Sequence, residues 1–553
     1  MNFTHALSTL ILVLLFSTLA AFLQHEVRAQ LVEEKEEAME GPYVNEYSIP
    51  WENSGVMGIG VDSRGDVWFY MLNRSSVGRF IPSQGRFEEY PIEAKATASM
   101  GIALVAGGQF AFDERGRVWF TDALRNSIGV LDPSTGELKL YQIPTENSGP
   151  LGIIYDGMGS IWFAELYGNK IGRLYIQSES FEEYPLPSEN SGPALLFRTS
   201  DGKIWFTESF GERIGWIEPS KAVAGSSHGI TEFTPEGLLS PVGIGVLNDV
   251  VWIADHGSSN VVAFFYLNGT VKVYPTSPAK AYPDSLPNQL IIDARGMVWF
   301  VQHVGNRIGV IDSNDGSMTE YVIPAGPLEN TLWLAISPTG DIWFTKRTSN
   351  KIGVVRPLDH GFITIRVSEY TVDLRPGDSK ELVIHLTSNI SSALPIELRA
   401  IPSKKGITYE IDQERILLEP GKMHRAKILL HTDSNIEAGE YFVAVQAASD
   451  FIIQSKFISL RVRTSESFPV HVSTLTPLLL LAAGGVVLYL HLRHRRLMNR
   501  SKKDIRSALF DAAPPGDNAY AHFEIAPASG RVRCISDEPF AKLFMIHKKR
   551  VKK

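Results

Sequence analysis

Apolar and polar positions along this chain recur in short blocks with a period in the forties. Seven times a β-branched residue, a Trp and a further apolar residue stand together: Val67-Trp68-Phe69, Val118-Trp119-Phe120, Ile161-Trp162-Phe163, Ile204-Trp205-Phe206, Val251-Trp252-Ile253, Val298-Trp299-Phe300 and Ile342-Trp343-Phe344. The steps between these Trp residues are 51, 43, 43, 47, 47 and 44. Upstream of each lies a strand-like run closed by a turn, as in Gly58-Ile59-Gly60-Val61-Asp62 before Ser63-Arg64-Gly65. Downstream, most copies carry a third run such as Ile171-Gly172-Arg173 or Ile352-Gly353-Val354, and then a fourth that ends in Tyr-Pro or a relative, as in Glu89-Tyr90-Pro91 and Glu183-Tyr184-Pro185. Four short strands per unit, punctuated by Gly, Pro and Asp, describe a propeller blade. No unit offers apolar positions at i, i+3, i+4 for long enough to make a helix, which excludes helical solenoids. A large apolar side chain at the same place in every unit reads as inter-blade core.

Strand arithmetic predicts how the ring closes. The seventh unit has no fourth run before Pro357, whereas Asn45-Glu46-Tyr47-Ser48-Ile49-Pro50 fits the fourth-strand pattern and precedes the first blade. The N-terminal strand should therefore complete the last blade and remove the open edges. Residues 361–465 change character: alternating runs such as Phe362–Val367, Glu381–Leu386 and Tyr441–Gln446 are spaced by Pro-Gly and Ala-Gly turns. About seven such strands in roughly 100 residues predict an immunoglobulin-like sandwich.

Two hydrophobic segments set the expected topology. The first, about Leu7–Leu23, precedes Val27-Arg28-Ala29, with small residues where a signal peptidase cuts; an uncleaved anchor is the other reading. The second, Val472–Leu490, holds no charged residue and is long enough to cross a bilayer, and Arg493, Arg495, Arg496, Arg500, Lys502 and Lys503 follow at once. The expected order is a signal peptide (1–29), an acidic linker (30–42), a seven-bladed β-propeller (43–357), an Ig-like β-sandwich (361–465), a transmembrane helix (472–492) and a basic cytoplasmic tail (493–553). The fold class is thus all-β, with the N-terminal strand closing the propeller and one transmembrane helix as the exception. Charge agrees with this order: the net charge of -8 divides into +9 from Arg493 onward and -17 before it. An acidic body argues against nucleic acid as a partner. The single cysteine, Cys534, excludes a disulfide framework and a Cys-based zinc site, which suits a prokaryotic envelope. A single-pass protein of the cell membrane is expected, monomeric, with its propeller and sandwich outside.

The blade motifs resemble those of the streptogramin B (virginiamycin B) lyase family. The residues that carry the resemblance are Ile161-Trp162-Phe163-Ala164-Glu165 with Gly168-Asn169-Lys170-Ile171-Gly172-Arg173-Leu174, and Ile204-Trp205-Phe206-Thr207-Glu208 with Glu212-Arg213-Ile214-Gly215. It covers about residues 43–357. The resemblance implies a ring-opening elimination at an ester linkage, carried out with a Mg²⁺ ion and a His general base at the central mouth. The family's His stands just before the Gly-Ile of the innermost strand; its metal-binding Glu stands three residues after a blade Trp. At the His position this chain has Met57, Met100, Leu151, Ala194, Val242, Asn288 and Leu332, none of which can take a proton.

Three residues after each Trp stand Met71, Asp122, Glu165, Glu208, Asp255, Gln302 and Lys346, and one further on are His256 and His303. With Asn288, the residues Asp122, Glu165, Glu208, Asp255 and Gln302 are the candidate ligand-binding set. Glu165, Glu208, Asp255, His256 and His303 are candidate ligands for Mg²⁺ or Ca²⁺. His256 and His303 are also the candidates to replace the lost base. Solvated loop residues on an acidic protein are the other reading of the acids. Three inter-blade connections repeat Glu-Asn-Ser-Gly (Glu52–Gly55, Glu146–Gly149, Glu189–Gly192), with Asn and Gly expected at positive φ. The function expected is binding of a polar small molecule, glycan or protein at the mouth. A metal-dependent lyase or lactonase with a rearranged site, and a surface structural or adhesion protein, are the alternatives.

Overall fold

The computed structural model describes residues 43–96, 109–277, 284–324, 329–357, 363–389, 391–463, 523–525 and 532–534. The segments expected to be a signal peptide and a transmembrane helix lie outside these residues, as does Met100. Among the described residues no helix is long and apolar enough to cross a membrane.

Residues 44–355 form seven antiparallel four-stranded blades, each with an innermost strand: Val56–Val61, Phe110–Phe112, Pro150–Tyr155, Pro193–Arg198, Pro241–Leu247, Pro287–Ile292 and Thr331–Ile336. These inner strands touch one another in sequence, and the last touches the first, so the blades close into a propeller. The closing strand is the expected one: Val44–Ser48 pairs antiparallel with Lys351–Val355, Val44 opposite Val355 and Ser48 opposite Lys351. The fourth strand of blade 7 thus comes from the other end of the domain.

The repeated sequence marks have simple physical causes. All seven blade Trp side chains are at most 3% exposed, as expected for inter-blade core. In four blades an Asp six residues earlier accepts the indole N–H (Asp62, Asp113, Asp156 and Asp293, at 2.9–3.3 Å), so a turn residue satisfies a buried donor. The Phe after Trp lies flat on the glycine of the third strand: a Cβ on Gly172 would come within 2.1 Å of the Phe163 ring. Blade 5 replaces both partners together, with Ile253 opposite Val262. In six blades the pairing of the first two strands shifts register near the start of the inner strand, as between Pro150 and Ile153. Such bulges re-aim side chains, and they fall on the residues at the family's His position.

Residues 363–462 form nine strands where about seven were expected. One sheet runs Ile363–Val367, Ser379–Ser388, Met423–Thr432, Ile407–Ile411. The other runs Ile452–Val462, Gly439–Ala448, Leu394–Pro402, Arg415–Leu418, with Thr371–Leu374 parallel to Ile452–Val462. Ile452–Val462 also pairs with Met318–Val322, the outermost strand of blade 6, so one sheet passes from the propeller into this region. Gln454 reinforces the joint, donating to the Met318 carbonyl at 3.1 Å and accepting from the Thr319 hydroxyl at 2.7 Å. Ser467–Lys553 form a separate unit, in which Phe523–Ile525 pairs with Val532–Cys534.

Candidate functional site

The position three residues after each Trp ends the second strand of its blade, and there the structure departs from the sequence reading. Asp122, Glu165, Glu208, Asp255 and Gln302 show no exposure at all. They are neither solvated loop residues nor open toward the mouth, and most are engaged by neighbours. Asp122 accepts from Arg125 Nη1 at 2.8 Å and from the Tyr70 hydroxyl at 3.1 Å. Burial still holds the Asp122 carboxyl above the usual carboxylate range. Arg213 Nε donates to Glu208 at 3.0 Å, yet burial raises that carboxyl too. Asp255 accepts the backbone N–H groups of Leu239 at 3.1 Å and Ser240 at 2.7 Å, pinning the connection that enters blade 5. Gln302 donates to Glu320. In blade 7 the charges are exchanged: Lys346 and Lys351 both bind Glu46 of the closing strand.

A second carboxylate explains these arrangements. On the fourth strand, opposite the third-strand glycine, stand Glu89, Glu183, Glu232, Glu320 and Glu46. Glu183 accepts the Thr145 N–H at 3.0 Å and Glu232 the Ser188 N–H at 3.1 Å, so each clasps the chain entering its blade. The Glu-Tyr-Pro endings carried this signal, but sequence reasoning used them only to end a strand. In blade 3, Lys170 bonds to Glu183 at 2.7 Å and leaves Glu165 behind. Among the described residues neither Glu165 oxygen has a partner in hydrogen-bond geometry, and burial pushes its pKa up to about 8, with Glu183 adding to the shift.

One position later, where each second strand turns back, stand Leu72, Ala123, Leu166, Ser209, His256, His303 and Arg347. Backbone bonds hold six of these seven against the turns ahead of the inner strands. The N–H of Leu72 donates to Gly55, Leu166 to Gly149, Ser209 to Gly192, His256 to Ser240, His303 to Leu286 and Arg347 to Asn330, at 2.9–3.2 Å. Each acceptor sits directly ahead of an innermost strand, so these turns surround the centre. The Asn and Gly of the Glu-Asn-Ser-Gly connections have positive φ as expected, at 51° and 63° in Asn53 and Gly55. Ser148 donates both N–H and hydroxyl to Asn126 at 2.8 Å, which locks one such connection to the blade behind it.

Blades 1 to 3 close the mouth with Leu72, Ala123 and Leu166, all buried in one apolar cluster with Met57, Leu151, Ala194, Leu332 and Trp333. Blades 5 to 7 present polar groups. His256 Nε2 and His303 Nδ1 are 3.3 Å apart, so one ring donates to the other. Burial lowers both imidazoles, His303 to about 3, with His256 and Arg347 adding to that shift. Both rings are therefore neutral near pH 7. Arg347 is half-buried, and desolvation lowers its pKa. Among the described residues its guanidinium forms no hydrogen bond or ion pair. Asn288, half-buried, donates to the Leu332 carbonyl at 2.9 Å. Of the sequence candidates, then, His256 and His303 come together at the mouth. Arg347 was missed, although reading the fourth position after Trp in every blade would have found it.

The family model for the virginiamycin B lyase family matches residues 38–256 and 116–390, more than half of the chain. The chain belongs to the virginiamycin B lyase family. A streptogramin B lyase structure is 27% identical and aligns over 57% of this chain and 97% of its own, with a TM-score of 0.49. A catalytically inactive virginiamycin B lyase from Staphylococcus aureus, crystallised with quinupristin, is 28% identical over 57% of this chain and 99% of its own, also at 0.49. A search of curated proteins gives no match.

The residues present do not fit the Mg²⁺ that the virginiamycin B lyase resemblance implies. Among the described residues no three His, Cys, Asp or Glu side chains gather around one point. Asp122 and Asp255 are spent on Arg125 and backbone N–H groups, and Glu208 gives one of its two oxygens to Arg213. Glu165 is unpaired, but its raised pKa keeps it protonated at neutral pH. A divalent cation needs several converging oxygens, and the five candidate metal ligands do not supply them.

Proposed function

We propose that this chain is a binding member of the virginiamycin B lyase family. Its mouth holds a ligand through an anionic group, and the family's ring-opening elimination does not occur. One observation carries the reading: a half-buried guanidinium, Arg347, stands without an acceptor among the described residues, beside a pair of neutral imidazoles. An unpaired buried cation is costly, and a carboxylate or similar anion is the group that satisfies its planar donors. The imidazole pair supplies a further neutral hydrogen-bonding surface.

Loss of the lyase chemistry is supported at the positions where the family resemblance implies the base. Met57, Leu151 and Ala194 are buried apolar residues there. His256 and His303 make poor substitutes. A general base should titrate near the working pH, and both imidazoles are held below their ordinary value while tied to each other. The metal-dependent lyase or lactonase reading is favoured by family membership itself. Incubation of the full-length chain with quinupristin, followed by chromatography, separates the two. Undiminished cyclic compound with retained ligand supports binding; linearised product would restore the enzyme.

We further propose that residues 363–462 are an Ig-like stalk and that the chain is a single-pass protein of the cell membrane, with the propeller outside and the basic tail in the cytoplasm. The uncharged run Val472–Leu490 followed by Arg493, Arg495 and Arg496 supports the anchor and its orientation. Partition of the chain into detergent, and protection of the tail from protease in sealed vesicles, test both.

A further inference from the structure

Next to the polar arc lies an exposed apolar one. Tyr167, Phe210 and Leu239 are 37%, 53% and 54% exposed, whereas all seven blade Trp rings are at most 3% exposed. Tyr167 and Phe210 each stand one residue beyond a mouth residue, Leu166 and Ser209, and their ring centroids are 6.2 Å apart. They rest on the connections that enter their own blades: a Cβ on Gly149 would come within 2.4 Å of the Tyr167 ring, and one on Gly192 within 2.3 Å of the Phe210 ring. Glycine at these two places, at φ of 61°, lets the rings lie against the backbone. Leu239 continues the arc. Its backbone N–H is held by Asp255, and its Cβ faces Gly257, the neighbour of His256. Tyr167 and Phe210 follow the second strands of blades 3 and 4 and Leu239 precedes blade 5, at the same end of the propeller where His256, His303 and Arg347 follow the second strands of blades 5 to 7.

Apolar side chains held open to solvent at the same end of the propeller as a desolvated cation suit one ligand with two chemistries. We infer that the ligand is a small organic carboxylate with an aromatic or cyclic apolar body, the carboxylate on Arg347 and the body on the Tyr167–Phe210–Leu239 arc. This rests on the mouth being an anion site, as proposed above, and adds the class of molecule. Bare anions and acids with polar bodies would engage only the Arg347 end.

The test uses the full-length chain in detergent and ligand-observed NMR titrations with acetate, glucuronate, benzoate and 4-phenylbutyrate. The expected result is that 4-phenylbutyrate binds about tenfold or more tightly than acetate, the scale set by burying one aromatic group. The Tyr167→Ser/Phe210→Ser variant should abolish that gain and leave acetate binding unchanged, while Arg347→Met weakens every acid. Both rings are on the surface, so the double variant is expected to fold, and its unfolding curve checks this. If the aromatic acids bind no better than acetate, or if the double variant keeps their advantage, the inference is overturned while the anion site stands. If no acid binds in a manner that depends on Arg347, both are overturned.

Discussion

The two sides of the mouth use the same backbone for opposite ends. In blades 1 and 3 the residue four positions after Trp is Leu72 or Leu166; in blades 6 and 7 it is His303 or Arg347, with the same N–H bond to the carbonyl ahead of the inner strand. The leucines are 2% and 3% exposed and join the apolar cluster that fills their side of the opening. Each buried leucine contributes about 1.5–3 kcal/mol of stability. The imidazoles and the guanidinium give up most of that and keep hydrogen-bonding groups at the surface of the opening. A repeated fold can thus divide one ring between an apolar half and a polar half by changing a single position per blade.

Breaking this division should have its largest effect on the apolar side. Leu166→Asp places an unpaired carboxylate in the cluster and is expected to cost about 3–5 kcal/mol in denaturant unfolding. On the polar side Arg347→Asn, at a half-buried side chain with no partner among the described residues, should cost under about 1 kcal/mol. Equal losses would show that the two sides do not differ.

The next effect lies in pH. Glu165 sits just below Leu166, with its pKa raised from 4.5 to about 8. Between these values the folded protein holds a proton that the unfolded chain releases, so stability falls as pH rises from 4.5 through 8. Glu165→Gln should remove this fall, raising stability at pH 9 by roughly 2–4 kcal/mol and leaving it unchanged at pH 4.

On the polar side the sign reverses. His303 drops from 6.5 to about 3 on folding, so the unfolded chain protonates first and stability is lost as pH falls from 6.5 toward 3. His303→Asn should flatten that acid limb by about 1–2 kcal/mol, a smaller figure because the ring is partly solvated. Unfolding midpoints across pH 3–9 for the two variants measure both slopes.

The fold was legible because its marks are local. Trp at a fixed period, a turn before it and a fourth-strand pattern at Asn45–Pro50 need no knowledge of distant contacts, and the blades and their closure follow from them. The site was legible only in part. His256 and His303 stood out as titratable residues at matching positions, and the structure puts them 3.3 Å apart. The acids at the preceding position looked equally available, since sequence alone does not say that a strand's last side chain turns inward. That depends on partners such as Arg213 and Glu320 arriving from other strands to meet it. Arg347 escaped notice because a lone Arg after Lys346 reads as surface charge, and its lack of a partner is a fact of three dimensions. The pairing of Met318–Val322 with Ile452–Val462 was also invisible, because it joins edges far apart in sequence.

The most direct test of the account is the ratio of benzoate dissociation constants between Arg347→Met and the unaltered chain at pH 7. Removing a charge-assisted bond worth about 1.5–3 kcal/mol should raise that ratio to roughly 10–150. A ratio within about twofold of one, with the variant folded, would mean that Arg347 does not receive the ligand and would contradict the anion-binding mouth.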